Sequence, residues 1–143
     1  MKDKFIKLYM DWASRTAQLS HARRLQVGAV IVKDDSVISY GYNGMPASWD
    51  NNCEEVYYDE TGNERLKTKL EVLHAESNAI AKLAKSTNSG LGATLFVTHS
   101  PCIECAKLIY QSGISSVYYN ENYRDDSGIK FLEKSGVKVT KSL

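Results

Sequence analysis

Val72-Leu73-His74-Ala75-Glu76-Ser77-Asn78-Ala79-Ile80, then Ala93-Thr94-Leu95-Phe96-Val97-Thr98, then Ser100-Pro101-Cys102-Ile103-Glu104-Cys105 form the stretch that decides the fold. Leu73, Ala79, Ile80, Leu83 and Ala84 recur at three-four spacing, which predicts a helix over 72–85 with His74, Ala75 and Glu76 in its first turn. The apolar run 93–98 predicts a buried strand. Ser100-Pro101 then predicts a second helix, with Ser100 as N-cap and Pro101 at the first helical position. Cys102 and Cys105, three residues apart, share a face of that helix. Helices that both begin at a sheet can point their first turns at one spot, so one imidazole and two thiols converge without help from a flexible loop.

Working outward, residues 3–19 carry Phe5, Tyr9, Trp12, Ala13, Thr16 and Ala17 on one face, an amphipathic helix with Asp3 as its expected N-cap. Residues 27–32 and 37–42 flank Asp34-Asp35 and predict a hairpin. From 43 to 70 the chain turns polar and irregular, which predicts a long loop able to cover a site. A strand at 116–119, a helix at 128–135 and a last strand at 137–140 complete the pattern. The order predicts an α/β fold, one sheet with helices on both faces, in a single domain over 1–143.

Composition narrows the functions open to such a chain. Its 18 Lys and Arg against 17 Asp and Glu leave a formal charge of +1, too weak a field to hold a long polyanion, so a small substrate is expected and nucleic acid is not. Only Cys53, Cys102 and Cys105 occur, which offers no disulfide framework and points to a reducing cytoplasm. Charges interrupt the N-terminal residues, and no run approaches the roughly 20 apolar residues of a membrane span, so no membrane partner is expected.

Two thiolates and one imidazole suit tetrahedral Zn²⁺, with the fourth position left for water, the arrangement that separates catalytic from structural zinc. The positive end of a helix macrodipole favours the thiolate form of Cys102 and Cys105. Zinc lowers the pKa of bound water from 15.7 to about 7, and Glu76 is the carboxylate placed to move protons. Glu104, between the cysteines, is turned away from them by the helix and is expected in solvent. A redox pair is disfavoured because no thioredoxin-like surroundings precede Cys102. A closed structural site lacks a fourth ligand at matching spacing.

The H-x-E…P-C-x-x-C arrangement is the signature of zinc nucleobase deaminases. Together with Gln26-Val27-Gly28-Ala29-Val30-Ile31-Val32 and Gly41-Tyr42-Asn43-Gly44-Met45-Pro46, it resembles the deoxycytidylate deaminase family of the cytidine deaminase superfamily, over residues 26 to about 113. The resemblance implies a cytidine deaminase-like three-layer sandwich with a mixed five-stranded sheet, and conversion of dCMP to dUMP and ammonia for thymidylate synthesis. It implies one catalytic zinc on His74, Cys102 and Cys105, with Glu76 as proton shuttle and Asn43 on the deoxyribose. The amide of Ala75 and the carbonyl of Ser100 would read the base.

Arg23, Arg24, Tyr123 and Arg124 are the candidates for the substrate phosphate, and Tyr123 could instead stack on the pyrimidine. The resemblance further implies a homo-oligomer, a hexamer by preference, activated by dCTP and inhibited by dTTP, with Mg²⁺ accompanying the triphosphate. Tyr42, Gly44, Asn78, Arg23 and Arg24 are the effector-site candidates. Cys53 is expected to be a small buried residue or free thiol, since ligands for a second zinc are thin. Two alternatives stay open: a tRNA adenosine-type deaminase, disfavoured by the near-neutral charge, and a catalytically inactive nucleotide sensor, disfavoured by the intact Glu76.

Overall fold

Asp34 and Asp35 both adopt positive φ, 50° and 59°, the pair of left-handed residues that a tight two-residue hairpin favours, and they join β1 (Gly28–Lys33) to β2 (Ser36–Tyr42). The computed structural model describes residues 1–142. Strands β5 (Thr94–His99), β6 (Ser116–Glu121) and β7 (Lys138–Lys141) complete a five-stranded sheet ordered β2-β1-β5-β6-β7. Pairing is antiparallel from β2 to β5 and parallel from β5 to β7, which makes the sheet mixed.

The central strands read as unbroken apolar runs because both of their faces are covered. Ala29, Ile31, Leu95, Val97 and Val117 point to one side. There they meet helices α2 (Ala75–Ala84), α3 (Ile103–Gln111) and α4 (Ser127–Lys134) through Ala79, Leu83, Ala106, Ile109 and Leu132. Val30, Val32, Phe96 and Tyr118 point to the other, where α1 (Asp3–Ala17) lays Tyr9, Met10 and Ala13 against them. The three-layer sandwich expected from the order of elements is the one observed, with three helices on one face and one on the other.

Two glycines set how closely the layers approach. A Cβ on Gly41 of β2 would lie 2.3 Å from the carbonyl oxygen of Ala75 and 2.6 Å from the amide nitrogen of Ala79, so the first turns of α2 rest directly on strand backbone. A Cβ on Gly128 of α4 would lie 2.0 Å from the Pro101 carbonyl oxygen, which pins the segment leading into α3. Only hydrogen fits at either place.

Four expectations need correction. Helix α2 starts at Ala75, so residues 72–74 lie outside the helix expected over 72–85 and His74 is its extended N-cap, not part of its first turn. Asp3 is the first residue of α1 and not its cap; Lys2 holds the extended conformation before it. Helix α3 starts at Ile103 with Cys102 as N-cap, since Cys102 keeps an extended backbone (φ −70°, ψ 169°), so neither Ser100 nor Pro101 caps or opens it. The stretch 43–70 is not simply a loop: β3 (Glu54–Tyr58) and β4 (Glu64–Thr68) form a two-stranded antiparallel ribbon apart from the main sheet. Its turn is organised by Asp59 Oδ1, which accepts N–H bonds from Thr61 and Asn63, and by Gly62 at φ 81°. Val56, Tyr57 and Tyr58 are all exposed, so the ribbon buries no apolar face and shows no alternating pattern.

Replacing Gly41 with Ala is expected to destabilise the protein by about 1–3 kcal/mol, because strand and helix backbones must separate to admit the methyl. The midpoint of chemical denaturation measures this, and an unchanged midpoint would contradict the packing described.

Candidate metal centre and its cleft

His74 is the N-cap of α2 and Cys102 the N-cap of α3, both with extended backbone, and Cys105 lies in the first turn of α3. Each helix therefore presents its unpaired N–H groups and the positive end of its dipole at the same place. The donor atoms of the three side chains lie within 4.8 Å of one another, the one such cluster of three among the described residues. Zinc bonded at about 2.3 Å to sulfur and about 2.0–2.1 Å to nitrogen in a tetrahedron sets those donors about 3.5 Å apart. His74 Nδ1 stands 3.5 Å from Cys102 Sγ and 3.3 Å from Cys105 Sγ. The donor set fits the ion in both chemistry and spacing.

The charge states agree. Hydrogen bonds from the Cys105 thiol and from His74 hold the Cys102 thiol down to about 4, which favours the thiolate form that zinc binds. Cys105, which shares its proton with Cys102 and is buried, is pushed up. The Cys102 sulfur raises His74, against the opposing effect of burial. Glu76, 4% exposed, is pushed up to about 7 by that burial, although its own backbone N–H and the charge of His74 pull the other way. It is the buried carboxyl beside the cluster, able to hold or release a proton near neutrality.

His74, Glu76 and Cys102 line a cleft of about 500 Å³. Asn43, Ala75, Ser100, Tyr123 and Arg124 all line it, as does Arg24. Ala75 is the first residue of α2, so its N–H is among those left without an intrahelical partner. Asn43 is already committed on one side: Oδ1 accepts the Val27 N–H at 2.9 Å and Nδ2 donates to the Leu25 carbonyl at 2.8 Å. One amide hydrogen and one lone pair remain to it. The Ser100 hydroxyl accepts the Tyr123 N–H at 2.6 Å, which ties the loop bearing Tyr123 and Arg124 to the end of β5. Glu104 is exposed and pairs with Lys107 at 3.2 Å, as expected of a solvated residue.

Arg23 does not line the cleft; its guanidinium turns to Glu54 and Asn52. Tyr42 and Gly44 line a separate hollow of about 130 Å³ with His21 and Met45, and Asn78 holds the Tyr42 carbonyl at 2.9 Å. Cys53 is buried, with Sγ 3.4 Å from the Asn51 carbonyl. Sequence reasoning missed Glu54 and Thr68, which reach the cleft from the ribbon, and the pair His99 and Glu121, 3.5 Å apart on neighbouring strand ends. No pattern marks Glu54 or Thr68, whereas the adjacency of His99 to the metal motif was a usable signal.

A mixed sheet that aims two helix N-termini, with imidazole, paired sulfurs and a protonatable carboxyl, into one cleft defines the zinc-dependent deaminase class. Within it, the chain belongs to the cytidine and deoxycytidylate deaminase zinc-binding family, whose model matches residues 3–121. It is 35% identical over 97% of its length to the deoxycytidylate deaminase of Saccharomyces cerevisiae, and 37% identical over 82% to the human one. It spans 45% and 69% of those two relatives. Among solved structures it is similar to the dCMP deaminase of cyanophage S-TIM5 in complex with dCMP and dUMP, at 43% identity and TM-score 0.89, covering 99% of this chain and 98% of that one.

Replacing Cys105 with Ser is expected to cut the zinc content of the purified protein from about one per chain to near none, because a hydroxyl is a poor ligand where a thiolate is needed. Elemental analysis measures it, and full zinc retention would remove Cys105 from the ligand set.

Proposed function

We propose that this protein hydrolyses dCMP to dUMP and ammonia, with His74, Cys102 and Cys105 holding one Zn²⁺ and Glu76 moving the protons. One observation carries the reading: a buried carboxyl, Glu76, beside a zinc-shaped donor set in a cleft that Arg24 and Arg124 also line. The metal, when bound, supplies an acidified water near neutral pH. Glu76 would pass the two protons of the water in turn, the first to the ring nitrogen and the second to the amine, which leaves as ammonia while the oxygen stays on the ring carbon. The free N–H of Ala75 donates to the base carbonyl, and the Ser100 carbonyl accepts from the exocyclic amine, a pairing that uracil cannot reproduce. The remaining amide hydrogen of Asn43 faces the deoxyribose. Tyr123 offers its ring to the pyrimidine, and the two arginines offer forked donors to the phosphate.

Several finer parts of the reading rest on family likeness. The protein is a single-domain homohexamer of the cytoplasm that supplies dUMP for thymidylate synthesis, activated by dCTP and inhibited by dTTP with Mg²⁺ on the triphosphate. The hollow beside Tyr42 and Gly44, braced by Asn78, supports an effector site, which Arg23 and Arg24 do not line. No helix among the described residues is long and apolar enough to cross a membrane.

Ammonia release from dCMP, dCTP, deoxycytidine and a cytosine-containing oligonucleotide, compared side by side, is expected to be fastest with dCMP. Preference for the oligonucleotide would overturn the assignment. Glu76→Gln is expected to keep zinc and fold while losing roughly 10²–10⁴-fold in kcat, the usual share of general acid–base catalysis. Titrating dCTP and dTTP against the rate of dCMP turnover is expected to raise and lower it respectively, and an effector-blind hyperbolic curve would remove the regulation.

A further inference from the structure

Glu54 is 2% exposed, yet it belongs to a ribbon whose other side chains largely face water. Its Oε2 accepts two consecutive backbone N–H bonds, from Arg23 at 2.8 Å and Arg24 at 3.0 Å, and its Oε1 lies 3.4 Å from the Arg23 guanidinium. A carboxylate that collects adjacent amides fixes the backbone between them and so fixes where both side chains leave the chain. They leave differently: Arg23 folds back to neutralise Glu54 and to reach Asn52, while Arg24 lines the cleft. Arg24 Nη1 donates to Thr68 Oγ1 at 3.3 Å, and Thr68 is the direct register partner of Glu54 across the ribbon. One rung thus grips Arg24 twice, by its backbone through Glu54 and by its guanidinium through Thr68. That grip uses one of five guanidinium N–H donors and leaves the charge uncancelled, because Arg23 is the counterion.

The segment is also held from the opposite side. Asn43 bonds Leu25 and Val27 in the same stretch, so the residue offered to the sugar braces the piece of chain that carries the residue offered to the phosphate. We infer that Glu54 and Thr68 are positioning residues that set Arg24 to receive the phosphate of a nucleoside monophosphate, making the base of the ribbon the part of the protein that selects nucleotide over nucleoside. This rests on the reading of the cleft as a dCMP site.

The zinc-loaded variants Glu54→Gln, Thr68→Val and Arg24→Ala are compared with the unaltered protein for kcat and KM on dCMP and for kcat/KM on deoxycytidine, which lacks the phosphate. Glu54→Gln presents an amide NH2 to a donor in either orientation, to the Arg23 and Arg24 backbone N–H groups or to the Arg23 guanidinium, which also loses its counterion. It is expected to raise the KM for dCMP about tenfold, the effect of one misplaced charge-assisted bond, while deoxycytidine turnover stays within about twofold. Thr68→Val is expected to raise KM severalfold with the same split, and Arg24→Ala at least as much as Glu54→Gln. Combining Glu54→Gln with Arg24→Ala is expected to add little beyond Arg24→Ala alone. Equal losses on nucleotide and nucleoside, or an unchanged KM for dCMP, would overturn the inference. Should Glu54→Gln not fold, Thr68→Val decides it by the same comparison. Failure of the unaltered protein to release ammonia from dCMP is a separate result, and would end the reading of the cleft itself.

Discussion

Direct contact between backbones is the constraint on which the rest of the structure depends. Where β2 passes under α2, Gly41 leaves no side chain between strand and helix, and where α4 begins, Gly128 lies against Pro101 in the same way. The first contact fixes the turn that starts at Ala75, next to His74; the second fixes the segment that delivers Cys102. A metal site needs its donors placed to within about half an ångström. Flexible side chains at these two places would let the helices settle at a range of depths, whereas main chain on main chain permits one. The imidazole and the sulfurs meet because two backbones cannot come closer and have nothing to hold them farther apart.

The helix termini add the electrostatic half of the same arrangement. Because His74 and Cys102 are themselves N-caps, the unpaired N–H groups of both helices surround the cluster, and negative charge on sulfur is favoured there. The same crowding excludes water from Glu76, which keeps its proton to higher pH than an exposed carboxyl. One placement of two helices therefore yields both the ligand set and the acid–base group.

How much of this could be read from the amino acids depended on whether the determinant was local. The strands at 28–33 and 94–99 were legible because a strand covered on both sides needs continuous β-branched and apolar residues, and the donors were legible because their spacing is set by one turn of helix. Ser100 misled because Ser-Pro is a common helix opening, while its hydroxyl is taken by Tyr123, 23 residues later, and the helix waits for Ile103. Asn43 serves as a brace for 25–27, a contact across 16 residues that no local pattern records. The ribbon was illegible for the opposite reason: it buries neither face, so its residues carry no alternation. Glu54, its one deeply buried acid, looks like any surface glutamate until the backbone N–H groups of Arg23 and Arg24 are seen bonded to it.

The ribbon stands outside the main sheet and joins the body at its base, with its tip turned to solvent. Lengthening, shortening or rebuilding that tip would disturb no buried apolar packing, so the core places no demand on its residues. The cleft is thereby built from the rigid layers and the base of the ribbon, and the tip contributes none of the residues that line it.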